Sequence, residues 1–119
     1  MSYTEILDRT GKRKDSFRLM IEHIQKIKNP LIVETGCVRE DNDYGAGMST
    51  IIFDRYVEQF GGEFHSVDIT RKNVEFARER VGKNTQVHLS DSIAYLTNQS
   101  NMWMMQGRKI DLLYLDSYD

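Results

Sequence analysis

The sequence is poor in several residue types, and each shortage excludes something. It has one cysteine, Cys37, in 119 residues. No internal disulfide is possible, which points to a reducing compartment and makes the cytoplasm the expected location. It has one proline, Pro30, and neither a repeat nor a low-complexity tract, so no linker divides it. The charge is nearly balanced: sixteen Lys and Arg stand against eighteen Asp and Glu, a formal net charge of −2. That gives no general attraction to nucleic acid or to an anionic membrane, and neither partner is expected. The one basic cluster, Lys12-Arg13-Lys14, is followed at once by Asp15 and reads as the solvated start of a helix. No apolar run approaches the ~20 residues that a bilayer requires. The first residues, Met1 to Arg9, are polar and of mixed charge, so no signal peptide is expected.

What remains is the composition of a globular protein, 39% hydrophobic and 29% charged, long enough to bury one core. Phe17, Met20, Ile21, Ile24 and Ile27 recur at helical spacing and predict an amphipathic helix from about Asp15 to Lys28. After Pro30, Leu31-Ile32-Val33 is a short apolar run of the kind found in a parallel strand covered on both faces. A second helix follows, with Ser49 and Thr50 as capping hydroxyls, a stripe through Ile52, Phe53, Tyr56, Val57 and Phe60, and a stop at Gly61-Gly62. Glu63 to Asp68 reads as the second strand, and Val74, Ala77 and Val81 as a third helix closed by Gly82. Thr85 to Leu89 reads as the third strand. Asp91 or Ser92 caps a fourth helix carrying Ile93 and Leu96. An apolar knot, Met102-Trp103-Met104-Met105, precedes Gly107 and is expected in a core or an interface; Ile110 to Leu115 is the fourth strand.

Strands alternating with helices imply a parallel sheet with right-handed crossovers. The predicted fold is α/β, a Rossmann-like doubly wound parallel sheet truncated to about four strands in the order 3-2-1-4. Residues 1–29 form a helical N-terminal segment and 30–119 the core of a single domain.

Ligands of such sheets bind at the carboxyl ends of the strands, near the switch in strand order. There the sequence reads Glu34-Thr35-Gly36, Asp68-Ile69-Thr70, Ser90-Asp91-Ser92 and Asp116-Ser117-Tyr118-Asp119, an acid at every strand end. Gly36, Gly45 and Gly47 lie in the first loop, where glycine lets a backbone approach a ligand closely.

Together, Glu34-Thr35-Gly36, Gly45-x-Gly47-x-Ser49-Thr50, Asp68, Ser90-Asp91-Ser92 and Leu113-Tyr114-Leu115-Asp116 resemble, in order, the cofactor motifs of class I S-adenosylmethionine-dependent methyltransferases. The resemblance spans about residues 30 to 119, the front half of such a domain, and is strongest to proteins of the macrocin O-methyltransferase and cephalosporin-hydroxylase type. It implies O-methylation of a small-molecule acceptor. Glu34, Thr35, Gly36, Gly45, Gly47 and Ser49 would surround the amino-acid end of S-adenosylmethionine. Asp68 would accept from both ribose hydroxyls, and Asp91 with Ser92 would meet the adenine edge. Asp116 would face the sulfonium and is the candidate catalytic residue. The cofactor's own sulfonium supplies the electrophile, so alignment is most of what the chain must add.

Residues 37–44 lengthen the first loop beyond the common pattern. Their stretch Asp41-Asn42-Asp43-Tyr44-Gly45 mimics part of a calcium loop, but the twelfth position is Ile52 where an EF-hand needs a bidentate Glu. No metal is expected. His23, His65 and His88 show no ligand spacing and no Ser or Cys partner, and Cys37 reads as a small buried residue. Two other readings stay open. A nicotinamide-dependent oxidoreductase shares the glycine loop and the acid after the second strand but would carry a compact Gly-x-Gly-x-x-Gly. A truncated binding or assembly module would keep the cofactor fold without catalysis. In the order 3-2-1-4 the fourth strand lies at an edge, and an apolar edge invites self-association, so a homo-oligomer is expected.

Overall fold

The computed structural model describes residues 2–37 and 48–115. Its elements follow the predicted alternation after an N-terminal helical pair. Helix α1 spans Tyr3–Asp8, a single 3₁₀ turn spans Gly11–Arg13, and α2 spans Lys14–Gln25. Then come β1 (Leu31–Thr35), α3 (Ser49–Phe60), β2 (Glu63–Asp68), α4 (Arg71–Arg78), β3 (Thr85–Leu89), α5 (Ser92–Met105) and β4 (Leu112–Leu115).

All three strand pairings are parallel, and the order is β3-β2-β1-β4, as the alternation predicts. β1 lies inside, with Leu31 opposite Glu63 on one side and Ile32 opposite Leu112 on the other. Right-handed crossovers running first one way and then back put helices on opposite faces. The two cores agree. The larger packs α1, α2, α3 and α4 against Ile32, Phe64 and Val87. The smaller packs Trp103 of α5, with Tyr95 and Leu96 beside it, against Leu31 and Val33. Alternation along β1 explains the split, since successive side chains point to opposite faces. The chain is therefore Rossmann-like, doubly wound about a switch point between β1 and β4. Among the described residues no helix is long and apolar enough to cross a membrane.

Four details differ from expectation. The N-terminal helical segment holds a separate first helix, α1, ahead of the one stripe the sequence marks; Ser2 caps it by accepting from the Glu5 N–H at 3.3 Å, and Tyr3, Ile6 and Leu7 bury its inner side. α2 stops at Gln25, because the chain must turn through Asn29 (φ 51°) into Pro30. The fourth ladder begins at Leu112, two residues late. Asp111 instead brackets Leu31, its N–H donating to the Leu31 carbonyl and its carboxylate accepting from the Leu31 N–H, both at 2.8 Å. The apolar knot is the last turn of α5: Trp103 is buried, while Met102, Met104 and Met105 are exposed, and so is Ile93. A helix covering only one side of a short sheet needs a narrow stripe, which Tyr95, Leu96 and Trp103 supply.

The Gly61-Gly62 stop has a steric cause. Gly62 has φ 125°, and a Cβ there would lie 2.8 Å from the Pro30 carbonyl oxygen. The α3–β2 connection thus presses against the entry to β1, which allows Glu63 N–H to reach that same carbonyl at 2.9 Å.

Candidate functional site

The carboxyl ends of β1, β2 and β3 are joined by backbone contacts. Gly36 leaves β1 with φ 87°, a conformation that favours glycine. Its N–H donates to the Val67 carbonyl at 2.6 Å, and the Ser90 N–H donates to the Asp68 carbonyl at 3.0 Å. The Gly36-Cys37 turn, Asp68 and the Ser90-Asp91 turn are thereby neighbours on one rim.

Asp68 is the organising side chain of that rim. Its carboxylate accepts from the Cys37 N–H at 3.2 Å, the Thr70 N–H at 2.8 Å and the Asn73 side-chain amide at 3.3 Å. A carboxylate has about four acceptor positions. Three are engaged, and the Asn73 contact is the longest, so two vicinal hydroxyls fit if Asn73 yields. Asp91 caps α5, accepting from the Ala94 N–H at 2.9 Å, with Ser92 as the first helical residue. Asp91, not Ser92, is the cap.

Glu34 is placed differently from the expectation of four acids on one rim. Its side chain turns beneath the rim, onto the α3 face of β1, and is fully buried. It accepts from the hydroxyls of Ser49 (2.6 Å), Ser66 (2.7 Å) and Thr50. Ser49 and Thr50 consequently make no cap for α3, whose N-cap is Met48 with no side-chain bond. The reason is electrostatic: a buried carboxylate must be met by donors, and hydroxyls bonded to an ionised group are worth more than those bonded to a backbone amide. Thr35, next along β1, is buried as well. Ser66 was missed by sequence reasoning. The signal was available, since Ser66 precedes Asp68 by two and so shares a strand face with it.

Cys37 is buried beside these acids. Burial, then the charges of Asp68 and Glu34, push its thiol far above the usual range, so it stays protonated and unreactive at neutral pH. Among the described residues no group of three His, Cys, Asp or Glu side chains is arranged to hold a metal ion. Gly45, Gly47 and Asp116, the remaining candidates, lie outside the described residues.

A second polar cluster lies on the opposite face, under α5. His65 Nε2 is 2.5 Å from a Glu63 carboxylate oxygen, and His65 Nδ1 is 3.0 Å from His88 Nε2. Burial raises the acidity threshold of Glu63, but His65 and Arg108 beside it outweigh that and hold its carboxyl below the usual range. Sequence spacing did not reveal this pair, because twenty-three residues separate the two rings.

Comparison with protein-family models, with curated proteins and with solved structures returned no match for this chain.

Proposed function

We propose that this chain is the cofactor-binding front of an S-adenosylmethionine-dependent methyltransferase acting on a small-molecule hydroxyl. One observation carries the reading: the Asp68 carboxylate stands at the end of β2, within hydrogen-bond reach of the Gly36-Cys37 turn, on the rim beside a switch point. A ribose diol and an aminoacyl tail need that combination of an acceptor and a close backbone turn. Asp68 would take the ribose hydroxyls, displacing Asn73, and Asp91 with Ser92 would meet the adenine edge. Gly36, Thr35 and the loop bearing Gly45 and Gly47 would enclose the aminoacyl end. Glu34 and Ser49 would act from beneath, fixing where β1 ends and α3 begins. Asp116 would face the reacting methyl group. When bound, the cofactor supplies the electrophilic methyl group, and the chain holds it in line.

Asp68→Ala should weaken S-adenosylmethionine binding by about 1.5–3 kcal/mol, the effect of losing a charged acceptor. Calorimetry at constant pH measures this, with a ligand-free melt to confirm that the variant folds. Equal affinity in the two proteins removes Asp68 from the site. Thermal stabilisation by NAD, and none by S-adenosylhomocysteine, transfers the rim to the oxidoreductase reading.

The assembly reading is favoured by a different observation. Among the described residues β4 pairs only with β1, and Leu113 and Leu115 of β4 are 43% and 67% exposed. We propose that this edge meets a second copy of the chain, since an unpaired edge recruits another strand. Sedimentation should show a dimer at micromolar concentration and a monomer for Leu113→Lys. A monomeric wild type ends the idea.

A further inference from the structure

The Glu63–His65–His88 cluster takes no part in the proposed cofactor site, and its proton bookkeeping is restrictive. A carboxylate only accepts, so His65 Nε2 carries a hydrogen and donates to Glu63. His65 Nδ1 and His88 Nε2 then face each other at 3.0 Å, which leaves room for one hydrogen between them. Two neutral rings satisfy this contact. So does a pair with one positive charge, which the Glu63 carboxylate beside His65 would balance. Two charged rings do not, because both facing nitrogens would then be donors.

α5 is built onto these rings. His88 lies 4.8 Å from the Tyr95 ring and His65 lies 5.2 Å from the Trp103 ring, centroid to centroid. The Tyr95 hydroxyl is buried with no hydrogen-bond partner among the described residues, and Trp103 is the one buried residue of the helix. Arg108, just beyond α5, reaches Glu63 at 3.3 Å. On the far side of β3, Arg78 of α4 donates to the Val87 carbonyl and adds positive charge near His88. Among the described residues the charged or titratable groups around the pair are therefore Glu63, Tyr95, Arg78 and Arg108. An element seated on few buried side chains opens locally at low free-energy cost.

We infer that α5 is a proton-released cover of the sheet, closed while the facing His65 and His88 nitrogens share a single hydrogen and opened when both rings take up charge. Direction follows from linkage. Burial, then the charges of His65 and Arg78, hold His88 at about 4 when α5 is closed, against an ordinary value of 6.5. Lifting α5 hydrates His88 and relieves the burial part of that depression, while the charges of His65 on β2 and Arg78 on α4 stay in place, so the open state binds more protons than the closed one as pH falls toward 4. The opening constant should accordingly rise as pH falls, by at most about tenfold per unit and by less than about 300-fold in all, levelling near 4. Because Asp91 caps α5, opening would also loosen the rim, but the inference does not depend on which cofactor the rim takes.

Amide hydrogen exchange at a series of pH values, corrected for intrinsic rates, tests this on the whole chain. Protection of α5 should fall severalfold between pH 6.5 and 4.5, and by no more than about tenfold per unit, while α3 holds, and quenching of Trp103, the sole tryptophan, should rise in parallel. In His88→Gln, which bonds but cannot charge, α5 protection should change less than twofold over the same range. A flat wild-type profile overturns the inference, as does an equal slope in His88→Gln. Imidazole ¹⁵N shifts of the wild type give a second reading without a variant. Doubly protonated His65 and His88 in a protein whose Trp103 remains protected would overturn it too.

Discussion

Glu34→Ala should lose about 3–5 kcal/mol of stability. The carboxylate ties three separate segments together, β1 through its own backbone, α3 through Ser49 and Thr50, and β2 through Ser66. All four residues are buried, so water does not replace a missing acceptor. Removing one side chain takes the shared acceptor from three hydroxyls and leaves them to seek others. Each hydroxyl that fails costs about 1–3 kcal/mol, and the vacated volume adds a cavity term. Glu34→Gln should lose about 1–2 kcal/mol, since its amide oxygen still accepts while the amide nitrogen needs a hydroxyl to rotate and accept in turn. Urea denaturation followed by Trp103 fluorescence measures both, with an unchanged slope as the sign that the unfolded state is the same. An alanine variant as stable as wild type would mean that Glu34 is dispensable to the fold and free for a ligand role.

That result also bears on how the sequence encodes its site. Glu34, two residues before a glycine, reads from the sequence as a rim acid because the motif it completes is written along one segment. Its partners are written elsewhere, at positions 49, 50 and 66, and only the sheet brings them together. Short hydroxyl residues are ambiguous in sequence for this reason, capping a helix when the helix start is exposed and bonding a buried acid when one lies beneath. Asp68 escaped the ambiguity. It ends the strand Glu63–Asp68, whose limits match those read from the sequence, and its carboxylate meets the local Thr70 N–H and the Asn73 amide five residues on.

The strand order was legible for a similar reason. Short apolar runs separated by helical stripes allow few arrangements, and right-handed crossovers reduce them further. Side-chain pairs across strands were not legible. Val67 stands opposite His88 and His65 opposite Gln86, so the two histidines meet on a diagonal that depends on a register no local pattern specifies. α1 fell between these cases. Six residues carry too little periodicity to stand out, although Ser2 and Glu5 have the spacing of a capping box.

Phe53→Ala should destabilise the chain by about 3–5 kcal/mol, the cost of emptying a large core site. The ring is fully buried on α3 and makes edge contacts with three others. Phe17 of α2 lies at 6.2 Å, Phe64 of β2 at 5.6 Å and Tyr114 of β4 at 5.9 Å between ring centroids. Such pairs add about 0.5–1.5 kcal/mol each beyond area burial. Phe53 is thus where the N-terminal helical pair, the central sheet and its edge strand meet. Tyr114 has a specific stake, because among the described residues β4 pairs with β1 alone and its inner side packs on Phe17 and Phe53. Phe53→Ala should consequently free β4 before the rest of the sheet, seen as early loss of amide protection at Leu113 and Leu115 ahead of β2. Phe53→Leu, which keeps most of the volume and none of the ring edges, should lose only about 1–2 kcal/mol and leave β4 protected. Equal losses in the two variants would assign the site's value to ring geometry, and a loss under 1 kcal/mol for alanine would show that the core closes over the gap.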